Sequence, residues 1–138
     1  MTFAGLNPWA ILAAACTGWV FGAVYYIFLG ERWLAAIGSS RENYLGPEGR
    51  LSPRPFIVSF LAQLVMAWVL AGIVGHLGEV SLRVGAISAL FVWTGFVATV
   101  LATSYGFQQR RLALLAIDAG HWLGVLVIQG SLIGLLGA

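Results

Sequence analysis

The sequence predicts an all-α polytopic membrane protein, a four-transmembrane-helix bundle, on three observations. Of its 138 residues 60% are hydrophobic and only 9% charged, against roughly 25% charged in ordinary soluble domains. Apolar segments long enough to cross a bilayer, roughly 20 residues each, recur four times, at residues 9–29, 56–76, 84–104 and 112–136. The charges fall between them: Glu31, Arg32, Arg41, Glu42, Glu48, Arg50 and Arg54 in the first interruption, Glu79 and Arg83 in the second, Arg110 and Arg111 in the third. Asp118 alone lies inside a span. Four spans leave too little chain for a soluble domain of typical size, so residues 1–138 form a single transmembrane domain. The mean hydropathy of +0.92 agrees. A net charge of +2 without a single lysine is too small and dispersed to grip nucleic acid; the expected surroundings are the lipid bilayer.

The first span could be mistaken for a secretion signal, because Ala13, Ala14 and Ala15 precede the single cysteine, Cys16. Residues 1–8 carry no positive charge and the apolar run continues through Phe28, so a retained helix is the better reading. Cys16 is then a small packing residue; one cysteine makes no internal disulfide. Residues 30–55 read as a cytoplasmic loop on the membrane surface. Trp33, Leu34 and Ile37 suit a short interfacial helix ending at Gly38. Ser39 with Glu42 reads as a capping box for another turn, stopped by Gly46 and Pro47, and Pro53 and Pro55 precede the second span.

Orientation follows from the basic residues of the short loops. Arg32, Arg41, Arg50, Arg54, Arg110 and Arg111 lie on one side and Arg83 alone on the other. Loops one and three are therefore expected in the cytoplasm and both termini in the periplasm. Small residues recur every fourth position: Ala14, Gly18 and Gly22, then Ala67, Ala71 and Gly75, then Ala116, Gly120 and Gly124. Such stripes let helices approach closely in lipid, and packing within one bundle is favoured over a dimer face.

The order of residues resembles bacterial domain-of-unknown-function family 1761, small four-helix integral membrane proteins. The resemblance rests on residues 22–26 (GAVYY), 30–33 (GERW), 60–71 (FLAQLVMAWVLA) and 92–97 (VWTGFV). Its most specific parts are residues 116–123 (AIDAGHWL) and 130–134 (GSLIG). It implies a small inner-membrane bundle and brings no activity. The family often carries an amide where this chain has Asp118.

The sequence holds no phosphate-cradling glycine loop, no metal-ligand spacing of Cys or His, no zincin motif and no nucleophile elbow, so neither an enzyme nor a cofactor or metal centre is expected. A rise of about 1.5 Å per residue gives depths from the cytoplasmic ends of the spans. Asp118 falls roughly 10 Å inside, Gln63 roughly 12 Å, Thr99 roughly 9 Å and Tyr26 roughly 6 Å. These groups are expected to face one another as one polar layer. His121, three residues after Asp118, shares its helix face and is expected to hydrogen-bond Asp118 or Gln63. Intramembrane ionisable residues are costly and usually functional, and a neutral Asp118 donating a hydrogen bond is the cheaper arrangement.

Trp19, Trp68, Trp93 and Trp122 all fall roughly 16 to 19 Å in, one per helix, and read as an aromatic layer that could cage an organic cation. His76 is expected at the far interface, too distant to share a haem with His121; ligation of a pigment by His121 alone stays open. The leading expectation is a non-enzymatic structural or accessory subunit, alone or packed with other membrane proteins. The alternative is a homo-oligomeric transporter of protons or hydrophobic cations working through Asp118 and the tryptophans.

Overall fold

The computed structural model describes residues 5–45 and 48–137 and is all-helical over them. Helix α1 (Pro8–Ile37) starts because Asn7 accepts from the amides of Trp9 and Ala10 at 3.1 and 3.3 Å, with Pro8 preset for a first turn. It ends at Gly38, whose φ of 76° is the left-handed conformation glycine supplies most cheaply. The first span therefore does not stop at residue 29. Gly30 is followed by good helix formers, and the interfacial helix expected around Trp33 is the continuation of α1.

The short α2 (Arg41–Tyr44) is capped by Ser40 rather than Ser39: its hydroxyl accepts from Asn43 N at 3.4 Å, while Ser39 turns its own to the Ser40 carbonyl. The expected stop at Gly46 and Pro47 lies outside the described residues. Helix α3 (Arg54–His76) follows Pro53 and carries Pro55 in its first turn, where the missing amide is harmless. The third span joins α4 (Leu82–Val92), a π-helical stretch over residues 93–98 and α5 (Thr99–Phe107); Ser81 caps its start. Within the wide turn Thr94 donates to the Leu90 carbonyl at 2.8 Å, a side-chain bond inside the backbone ladder. The last span is α6 (Leu112–Leu136). All four spans are long and apolar enough to cross a membrane, so the chain is a multi-pass membrane protein by fold.

The bundle is organised on α6, which packs closely on α1 and α4 and also meets α3. Lipid supplies no hydrophobic force between helices, so association needs close backbone approach. At the α4–α6 crossing Gly85 and Ala89 lie on Gly130 and Gly134; a Cβ on Gly85 would collide with the Gly130 carbonyl, and one on Gly134 with the Ser81 carbonyl. Along α1, Ala14, Ala15 and Gly18 are buried with Ala67, Leu70 and Ala71 of α3. Gly18, Gly22, Gly120 and Gly124 all face residues of this same bundle: Gln63 and Val125, His121, Tyr25 and Phe21 in turn. Asn7 Nδ2 donates to the Leu136 carbonyl at 3.1 Å, tying the start of α1 to the end of α6.

The helices are not level. Gly18 faces Gln63, which lies nine residues after the start of α3, so α3 begins level with about residue 27 of α1. The rest of α1 overhangs by roughly ten residues, or ~15 Å. Arg111 fixes this overhang by donating from Nη1 to the Ala35 carbonyl at 3.2 Å, a cation at the negative end of the helix dipole.

Gly130→Val is expected to destabilise the bundle by about 2–3 kcal/mol, because the helices cannot separate without losing their contact. Gly30 has open space around it, so Gly30→Ala should stabilise by about 0.5–1 kcal/mol. Reversible unfolding in mixed micelles, followed by circular dichroism, measures both.

Candidate functional site

Asp118 is 8% exposed and sits on α6 between two other helices. Tyr26 of α1 donates its hydroxyl to Oδ1 at 2.6 Å and Tyr105 of α5 donates to Oδ2 at 2.7 Å. The carboxyl thus accepts on both oxygens, from two helices that meet chiefly through these bonds. Its hydrogen-bond partners are thus two tyrosines rather than His121 or Gln63. Bonds of this kind, from hydroxyl to carboxylate, are short and about twice as strong as neutral ones. Tyr25, next to Tyr26, turns the other way and donates to the Ile117 carbonyl at 2.8 Å. Gly120 makes room for that ring, since a Cβ there would come within 2.9 Å of its hydroxyl.

His121 follows one turn along α6 and is 6% exposed. It bonds neither Asp118 nor Gln63, which corrects the expectation: its Nδ1 is buried without a hydrogen-bond partner. Aromatic rings enclose it, with Trp122 at 4.7 Å, Tyr26 at 4.8 Å, Tyr25 at 5.6 Å and Phe21 at 6.4 Å between centroids. Gly22 leaves space for its other nitrogen, which lies 2.7 Å from where a Cβ would stand.

Gln63 belongs to a different polar level. Gln129 Nε2 donates to the Gln63 carbonyl at 3.1 Å, deep between α3 and α6, and the side-chain oxygens of both glutamines are buried without partners. Gln129 is eleven residues beyond Asp118 on α6, ~16 Å along the axis. The single layer expected from depth is therefore two separate sites. Thr99 joins neither; it is exposed and donates to its own helix at Gly95 and Phe96. Depth alone could not see this, because rotation about the helix axis decides which face a residue occupies.

The four tryptophans do not form one cage. Trp19 donates to the Phe56 carbonyl at 3.3 Å and packs edge-on against Phe60; Trp93 donates to the Ala119 carbonyl at 2.9 Å. Trp68 is 45% exposed and lines an apolar groove with Ile11 and Leu12, about 10 Å along α1 from Trp19. Trp122 packs edge-on against His121 at 4.7 Å.

Asp118 forms the floor of a cavity of about 310 Å³, lined also by Trp33, Ile37, Tyr105, Gln108, Arg110 and Leu114. The cavity lies beneath the α1 overhang, at the end of the bundle where six of the seven arginines gather. Trp33 is held there by edge-on contacts with Tyr26 and Tyr44 at 6.1 and 5.3 Å. Arg110 is exposed and its Nε donates to Gln108 Oε1 at 3.3 Å. It makes no ion pair with Asp118; Arg41–Glu31, at 3.9 Å, is the one such pair among the described residues. An acidic and a basic side chain thus line one cavity. Sequence reasoning placed Asp118 and Tyr26 but passed over Tyr105, Gln108 and Gln129, of which Tyr105 falls just past the third span as bounded from sequence. Its position thirteen residues before Asp118, across a tight turn, was the available signal. Among the described residues no three of His, Cys, Asp and Glu gather as metal ligands.

A family described as "Protein of unknown function (DUF1761)" has a model that matches residues 9–134. No curated protein and no solved structure matches the chain.

The two tyrosine bonds should be separable by mutation. Tyr26→Phe and Tyr105→Phe should each cost about 1.5–3 kcal/mol, and Asp118→Asn a similar amount, since an amide leaves one hydroxyl facing a donor. The double variant Asp118→Asn with Tyr26→Phe should cost clearly less than the sum. Additive losses in detergent melting curves would contradict the bonding described.

Proposed function

We propose that this chain, which belongs to the DUF1761 family of proteins of unknown function, is a non-enzymatic accessory protein of the bacterial inner membrane that binds a positively charged amphiphile at its cytoplasmic end. The observation that carries the reading is the buried carboxyl of Asp118, oriented by two tyrosines at the floor of a cavity. A carboxyl accepts through about four lone-pair directions, so two remain for a ligand. Trp33, Ile37 and Leu114 give that ligand an apolar wall. The arginine asymmetry supports placing this end in the cytoplasm and both termini in the periplasm.

The accessory role draws support from the bundle's exterior. Phe56, Ile57, Leu61 and Val65 on α3, with Phe91, Phe96 and Val100 on the third span, are exposed and apolar, a surface suited to lipid, to other membrane subunits or to a second copy. The transporter reading is weaker. The deep polar group between α3 and α6 is a pair of glutamine amides, which exchange no proton at physiological pH, and the tryptophans do not converge on Asp118.

Two measurements test this. In a Cys16→Ala background, an impermeant maleimide on intact cells should label Val80→Cys and leave Leu51→Cys silent until the membrane is opened; the reverse pattern would invert the topology. Dodecylammonium should raise the melting temperature of the purified protein, with the shift largely lost in Asp118→Asn. An equal shift in both would remove Asp118 from the site.

A further inference from the structure

We propose that the group held in this cavity is a phosphoethanolamine zwitterion, taken from the headgroup of a membrane phospholipid; the inference rests on the binding role assigned above to Asp118. A simple cation would be matched by Asp118 alone, but the cavity also carries Arg110 at its mouth, unpaired with the acid. A buried negative floor and an exposed positive rim fit a dipolar ligand, with its amine inward and its phosphate outward.

The carboxyl already accepts one bond on each oxygen and has about two acceptor directions left. A primary ammonium donates three bonds and can use them; a trimethylammonium has none to give. Arg110, a planar fork of donors suited to phosphate oxygens, is steered by Gln108 at the same rim.

Helices α1 and α5 flank the cavity without packing closely on each other, and their link is the pair of tyrosines on Asp118. The cleft above α6 is therefore open sideways. Phe107 and Leu112, 89% and 81% exposed, bracket the turn that carries Gln108 and Arg110. That turn thus lies where headgroups meet acyl chains, and a lipid can seat its headgroup while its tails stay in the bilayer. A cavity of about 310 Å³ corresponds to roughly ten water volumes, ample for this headgroup.

The test is native mass spectrometry of the protein released from nanodiscs of phosphatidylcholine doped with phosphatidylethanolamine, its monomethyl and dimethyl derivatives, or phosphatidylglycerol. Phosphatidylethanolamine should be retained about tenfold over phosphatidylcholine, a difference of about 1.4 kcal/mol, and retention should fall from the second added methyl, which leaves fewer than two N–H donors for the two free acceptor directions. Arg110→Gln, an exposed change that leaves the bundle untouched, should weaken retention severalfold, and Asp118→Asn should abolish the headgroup preference. Soluble glycerophosphoethanolamine should compete poorly; strong competition would keep the zwitterion and move its source from lipid to solution, overturning the lipid assignment. Equal retention across the methyl series on the unmodified protein would overturn the zwitterion itself. If dodecylammonium still binds through Asp118 while the phospholipids are ignored, this inference fails and the binding reading above stands; if neither binds, both fail.

Discussion

Close backbone approach along α6 is the constraint on which the rest of this bundle depends. Hydrocarbon offers helices no solvent penalty for staying apart, so they stay together only where atoms touch and where polar groups find partners. Gly130 and Gly134 meet Gly85 and Ala89 on one side of α6, and Gly120 and Gly124 accept the rings of Tyr25 and Phe21 on another. Each missing side chain on α6 is filled by a neighbour's backbone or ring. The helix is consequently the one that can carry Asp118, His121 and Gln129 inward, because the neighbours are near enough to bond or enclose them.

The polar groups of α6 divide by what surrounds them. Asp118 lies near the end of the third span and takes hydroxyl donors from two helices, while Gln129, toward the other end of α6, is answered by a backbone carbonyl. His121 stands between them in an aromatic sheath, with a nitrogen that no protein group satisfies. Such an atom marks a place where a water or ligand atom would be stabilised.

Four spans, their order and the packing role of Gly18, Gly22, Gly120 and Gly124 were legible in the sequence because each depends on local composition or spacing; Gly75 and Ala116 of the same stripes are exposed, and the tight crossing of Gly85 on Gly130 was passed over. Asp118 and Tyr26 were also found, since their depth estimates were nearly correct relative to each other. The rest was lost to geometry that sequence does not encode directly. Ends of helices were treated as level, whereas α1 runs on to Ile37 and overhangs the start of α3. That offset is what roofs the cavity with Trp33 and Ile37. Thr99 and the tryptophans failed differently: their depths said nothing about azimuth, and Thr99 points outward while Trp19 and Trp93 turn to carbonyls of neighbouring helices.

The bond from Asn7 to the Leu136 carbonyl makes the helices a closed ring, in which the first and last spans are neighbours like any other pair. A closed ring has no privileged starting point. The chain could be opened in the segment between α2 and α3 and its present ends joined by a few flexible residues, keeping every interhelical contact while the spans enter the bilayer in a new order. Such a permuted chain would separate two things that are otherwise inseparable here: the stability of the finished bundle, which should be nearly unchanged, and the order of insertion, in which α6 is last in the present chain and α1 would be last in the permuted one.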